Sequence, residues 1–122
     1  YGGFKVQGKD IENAKKIVRV NIPFSISAVS YMELLQGALN KQELLGIKKF
    51  LEKADTKIIP INEGITHRAM EYVESYALSD SMELADALIA ATAIENDETL
   101  CTANGKHYKC LPDLKMDLFK VE

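Results

Sequence analysis

The stretch Leu84-Ala-Asp-Ala-Leu-Ile-Ala-Ala-Thr-Ala-Ile94 is an almost unbroken apolar run of helix-forming residues carrying one carboxylate, Asp86. Alanine, leucine and isoleucine occupy nearly every side, which predicts a helix packed on more than one face. The positions one turn from Asp86 are Met82, Glu83, Ile89 and Ala90, and none is a cation. An unpaired buried carboxylate costs several kcal/mol. Asp86 therefore requires a helix terminus, a distant Arg or Lys, or a metal ion.

Outward from this helix, strand and helix signals alternate. Asp10 reads as the N-cap of a helix to about Val18, with Ile11, Ala14, Ile17 and Val18 as its apolar stripe. After Pro23, Phe24-Ser-Ile-Ser-Ala28 alternates at period two and predicts a short strand. Ser30 then opens a helix to about Leu39. A further helix spans about Gln42 to Ala54, with Leu44, Leu45, Ile47, Phe50 and Leu51 inward and Lys48, Lys49 and Lys53 outward. Lys57 to Ile61 predicts a strand, and Pro60 places it near a sheet edge or marks its end. A helix follows from Glu63 to about Ala77, with Ile65, Ala69, Met70, Val73 and Tyr76 inward. The helix near Glu83 to Glu95 leads into a strand at Thr99 to Ala103, a turn at Asn104-Gly105, and a last strand at Met116 to Val121.

This alternation predicts an α/β fold with a mostly parallel sheet. In such folds, residues just after a strand and those opening the next helix meet at the carboxyl edge of the sheet, where ligand sites form. The 122 residues are read as a single domain, with 47% hydrophobic and 27% charged residues, as in soluble globular proteins. The sequence has no membrane-length apolar run and no signal-peptide pattern. Its net charge of −3 excludes a global basic footprint, so nucleic-acid binding would use a local patch or metal ions. Cys101 and Cys110 lack CxxC metal-binding spacing and read as packed, reduced thiols of a cytoplasmic protein, with a disulfide between them as the alternative. The start at Tyr1-Gly-Gly-Phe4, without Met, reads as a processed, engineered or cut terminus.

Three polar residues each admit a structural and a functional reading. Ser30-Tyr-Met-Glu33 matches a capping box, in which Glu33 reaches back to the amide of Ser30. Asn104-Gly105 is a standard turn pair. Asp86 suits the first turn of a helix, where the macrodipole favours an acid. Yet Glu33 and Asn104 each follow a predicted strand, and Asp86 opens a helix. All three are expected at one sheet edge. Two carboxylates and an amide oxygen there would suit Mg²⁺ or Mn²⁺, ions that activate water during phosphodiester cleavage. His107 reads as a surface loop residue or a contact to phosphate or metal, and His67 as solvated. Lys41, Lys48, Lys49, Lys53 and Lys57 read as a solvated face or a patch for an RNA backbone.

Three segments together carry a family resemblance. Ile26-Ser-Ala-Val-Ser-Tyr-Met-Glu-Leu-Leu-Gln-Gly-Ala38, Ala85-Asp-Ala-Leu-Ile-Ala-Ala-Thr-Ala93 and Thr99-Leu-Cys-Thr-Ala-Asn-Gly-Lys-His-Tyr108 resemble the PIN domain, and within it the VapC toxins of toxin–antitoxin pairs. The resemblance runs from about Asp10 onward. It implies an α/β/α sandwich that cleaves RNA with Mg²⁺ or Mn²⁺ held by clustered acids. By position, Glu33 and Asp86 match two of those acids. Asn104 matches the place where the family has Asp or Asn, and His107 stands where many relatives have Asp. The family also opens on a strand ending in a metal-binding Asp. No Asp precedes Asp10 here, so that element is read as missing or diverged. A homodimer and a small antitoxin that blocks the cleft are further implications. The resemblance thus implies an RNA-cleaving toxin. The alternatives are an inactive PIN-like module binding antitoxin or RNA, and a plain α/β binding domain in which Glu33 and Asn104 are only cap and turn.

Overall fold

The computed structural model describes residues 25–102 and 105–118. Their order is β1 (Ser25–Ser27), α1 (Ala28–Gln36), α2 (Lys41–Lys53), β2 (Lys57–Ile59), α3 (Glu63–Asp80), α4 (Leu84–Glu95), β3 (Leu100–Thr102), a 3-10 turn (Gly105–Tyr108) and β4 (Met116–Leu118). β1 pairs with β2 and β3 with β4, both parallel, with Ile26 opposite Ile58 and Cys101 opposite Asp117. The expected α/β alternation with parallel pairing is thus observed. The helix assigned to Asp10–Val18, the question of the family's first strand, and Asn104 lie outside the described residues.

Alanine lets α4 serve as the centre of the packing. It touches α1, α3, β1 and the 3-10 turn. Ala87, Ile89, Ala90, Ala91 and Ala93 are buried and join Ile65, Ala69, Leu100 and Tyr108 in the main core. Small side chains let neighbouring backbones approach closely, and the flanking isoleucines supply the apolar area that drives burial. Met82 precedes the helix and is buried as well.

The ends of α4 are fixed by its own sequence. At its C-terminus Asp97 takes a left-handed conformation (φ 49°). The amide of Asp97 donates to Ile94 O at 3.0 Å and that of Glu98 to Ala93 O at 2.9 Å, a Schellman closure. Glu98 then accepts a hydrogen bond from Ser25 Oγ at 2.6 Å, which ties the end of α4 to β1. The same closure ends α2, where Asp55 is left-handed (φ 54°) and Thr56 donates to Leu51 O at 3.0 Å. At the partly solvated edge of the α3–α4 contact, Arg68 of α3 grips Glu95 of α4.

The structure corrects several expectations. Helix α1 starts at Ala28, two residues earlier than expected, because Ser27 is its N-cap and accepts from Ser30 N at 3.0 Å. Ser27 has extended backbone (φ −65°, ψ 150°), so it ends the strand and caps the helix at once. The capping box assigned to Ser30 and Glu33 is therefore not formed. On α2, Ile47 and Leu51 are buried but Leu45 is 46% exposed, since it projects well away from the Leu44–Ile47–Leu51 stripe. Met70 of α3 is likewise 55% exposed rather than inward. Pro60 falls just beyond β2, at the strand's end as expected. Cys110 is a reduced, half-buried thiol, its pKa pushed up by burial first and by the charge of Asp80 second.

Candidate active site

Asp86 occupies the third position of α4 and is wholly buried. Of the three resolutions its sequence left open, the structure supplies the helix terminus. Glu83, extended at φ −90° and ψ 160°, is the N-cap. Its amide donates to Oδ2 of Asp86 at 3.2 Å, while its carboxylate accepts from the amide of Asp86. The positive end of the helix dipole adds to this stabilisation.

The other partners of Asp86 come from far along the chain. Because α4 runs antiparallel to the strand it leads into, residues after β3 return to the helix's first turn. The 3-10 turn does so with two consecutive side chains. Tyr108 directs its hydroxyl at Oδ1 of Asp86, 3.4 Å away, and His107 places Nδ1 3.9 Å from Oδ2. His107 is only 21% exposed, so the surface-loop expectation is corrected to a residue facing the acid. His67 is solvated as expected, 3.7 Å from Glu63.

Tyr108 is the residue that sequence reasoning missed. It is wholly buried and belongs to the main core. Its position in the motif was visible, but an aromatic residue near a strand end signals packing before chemistry. Only the three-dimensional return of the turn shows its hydroxyl beside a carboxylate.

Glu33 sits on α1, which packs against α4. It is half-buried, and its Oε1 atom is shielded from solvent. Asn104 cannot be placed, since it lies outside the described residues. Two acids on contacting helices offer the hard oxygen donors that a divalent cation takes. The chemistry of the donors thus fits such an ion. Among the described residues, however, no group of three or more His, Cys, Asp and Glu side chains stands close enough to hold one.

The chain thus joins parallel strand pairs to a buried acid that opens the helix before its third strand. The profile of the PIN domain matches residues 8–110, and the chain belongs to the PIN-domain family. Its fold is accordingly the family's α/β/α arrangement. Ribonuclease VapC10 of Mycobacterium tuberculosis is 35% identical over 94 residues, which span 76% of this chain and 68% of that protein. Among solved structures, a toxin–antitoxin complex from Klebsiella pneumoniae contains a chain of similar fold. Its TM-score is 0.74 at 23% identity, over 99% of this chain and 100% of that one. VapBC-1 of nontypeable Haemophilus influenzae gives 0.71 at 22% identity, covering 88% of each chain. VapBC2 of Rickettsia felis, bound to a DNA fragment from its promoter, gives 0.70 at 23% identity, over 93% and 87%. At these identities the structural likeness establishes the fold.

Proposed function

We propose that this chain is a VapC-type ribonuclease that cleaves RNA phosphodiesters with the help of Mg²⁺ or Mn²⁺. The observation that carries the reading is Asp86, a buried carboxylate opening α4 in a chain 35% identical to a ribonuclease. Glu33, Asp86 and Asn104 would hold the ion. When bound, such an ion supplies activation of water and stabilisation of charge on the phosphate. The chain's own residues do the remaining work. The amide of Glu83 holds one oxygen, Oδ2, of the Asp86 carboxylate. His107, partly open to solvent beside that acid, would meet a phosphate oxygen arriving there. Exposed Lys106 on the same turn adds positive charge that favours a polyanion.

The chains of like fold in K. pneumoniae, H. influenzae and R. felis belong to toxin–antitoxin assemblies. By analogy, the partner of this chain is a small antitoxin that covers the cleft, and its assembly is a homodimer acting in the cytoplasm. No described helix is long and apolar enough to cross a membrane.

A second reading, a PIN-like module that binds antitoxin or RNA without cutting, is favoured by one observation. The described residues bring together no set of three acidic, His or Cys donors. An RNA cleavage assay with Mn²⁺, with EDTA, and with Asp86→Asn separates the two. Cleavage that stops with EDTA and in the variant supports the ribonuclease. Intact RNA under every condition supports the inert module.

A further inference from the structure

We infer that Tyr108 is a positioning residue for the Asp86 carboxylate, orienting it toward a divalent cation. The inference rests on the metal-dependent reading above and adds a residue to it.

The hydroxyl of Tyr108 carries an energetic cost. A phenylalanine would fill the same core volume around α4 with no polar atom to satisfy. A buried hydroxyl lacking a partner costs about 1–3 kcal/mol, so its direction inside a core carries information. Here the hydroxyl points at Oδ1 of an acid that is itself wholly buried, 22 residues earlier in the chain. Oδ2 is held by the Glu83 amide. One oxygen is thus addressed by the start of the helix and the other by the turn after β3. Two contacts on different oxygens fix the plane of a carboxylate, where one would leave it free to swivel.

The turn is itself braced. Leu111 N donates to Tyr108 O at 3.0 Å, and the buried Leu111 and Leu114 anchor the segment in the core. At 3.4 Å the hydroxyl contact is longer than the roughly 2.7–2.8 Å of a well-formed O–H···O bond. Such contacts often stand long without ligand and shorten in the loaded site. Residues that orient a metal-binding side chain through a hydrogen bond typically matter about 10–100-fold in affinity.

The test uses Tyr108→Phe, which removes one oxygen, and Tyr108→Met, a second hydroxyl-free side chain that adapts to core space. Mn²⁺ binding is titrated by calorimetry on the full chain and on both variants. Urea unfolding of native, Tyr108→Phe, Asp86→Asn and the double variant gives the coupling of the pair. The expected result is Mn²⁺ affinity about tenfold weaker in both Tyr108 variants, cleavage restored by raising Mn²⁺, and a non-zero coupling. Equal affinity in the native chain and a folded variant overturns the inference while leaving the metal reading intact. Strict additivity in the unfolding cycle overturns the contact itself. A native chain that takes up no Mn²⁺ removes the metal reading and the positioning role together.

Discussion

Glu83 and Asp86 close the first turn of α4 reciprocally. The amide of Glu83 donates to Oδ2 of Asp86 at 3.2 Å, and the carboxylate of Glu83 takes the amide of Asp86. The acid at the candidate site is therefore also a structural part of the helix that carries it. Variants at this position must separate the two roles.

Asparagine keeps a carbonyl oxygen where Asp86 accepts from Glu83, whereas alanine leaves that amide without it. Asp86→Ala is expected to be less stable than Asp86→Asn by about 1 kcal/mol. Urea unfolding of the two variants side by side checks this, and equal midpoints would contradict the capping role. Asp86→Asn is for that reason the proper variant for function.

Ser27, rather than Ser30, caps α1. Ser27→Ala is expected to cost about 1–2 kcal/mol, as the loss of an N-cap does. Thermal unfolding of Ser27→Ala and Ser30→Ala compares them directly. A smaller loss for Ser27→Ala than for Ser30→Ala would return the cap to Ser30.

Gly46 lies within α2, and a Cβ built there would meet nothing within 4 Å. Gly46→Ala is expected to stabilise the chain by about 0.5–1 kcal/mol by restricting the unfolded state. Gly64 of α3 differs, because its Cβ would press on the carboxylate of Glu95, which Arg68 holds. Gly64→Ala should gain less than Gly46→Ala or lose stability. Denaturant midpoints of the two variants decide the order.

Arg68 reaches Glu95 with Nη2 at 2.7 Å and Nε at 2.8 Å, but both side chains are partly solvated. A double-mutant cycle should give a coupling of only about 0.5–1 kcal/mol, weakening as added salt shortens the Debye length. The hydrogen bond to Tyr72 first, and that to Glu95 second, hold the Arg68 pKa above its ordinary value. A cation with a raised folded-state pKa contributes stability in full below the unfolded value and loses it as pH rises through the folded one. No loss from Arg68 is therefore expected at any pH below strong alkali. A coupling that vanishes between pH 7 and 9 would contradict this.

Most of the fold was legible because helix and strand periods were strong wherever the chain packs on one side. The alanine-rich α4, the stripe of Ile47 and Leu51, and the strand stop at Pro60 are all written locally. The misses arose where one residue serves two elements or where tertiary packing decides. Ser27 is both strand end and cap, so a period-two reading absorbs it into the strand. Leu45 and Met70 have core chemistry but stand off the buried stripes of their helices. At the site, the burial of Asp86 could be read from its neighbours in sequence. The approach of His107 and Tyr108 could not, because it depends on where the turn after β3 returns. For Glu33 the sequence carried only topology, a helix that follows β1, and the structure adds that this helix packs on α4.

The central claim is that the buried carboxylate of Asp86 serves a divalent cation as well as its helix. Calorimetric titration of Mn²⁺ into the native chain and into Asp86→Asn, whose cap is retained, tests it most directly. Saturable binding to the native chain, lost in a variant still folded by circular dichroism, is the expected result. Binding of equal strength to both, or none to the native chain, would contradict it.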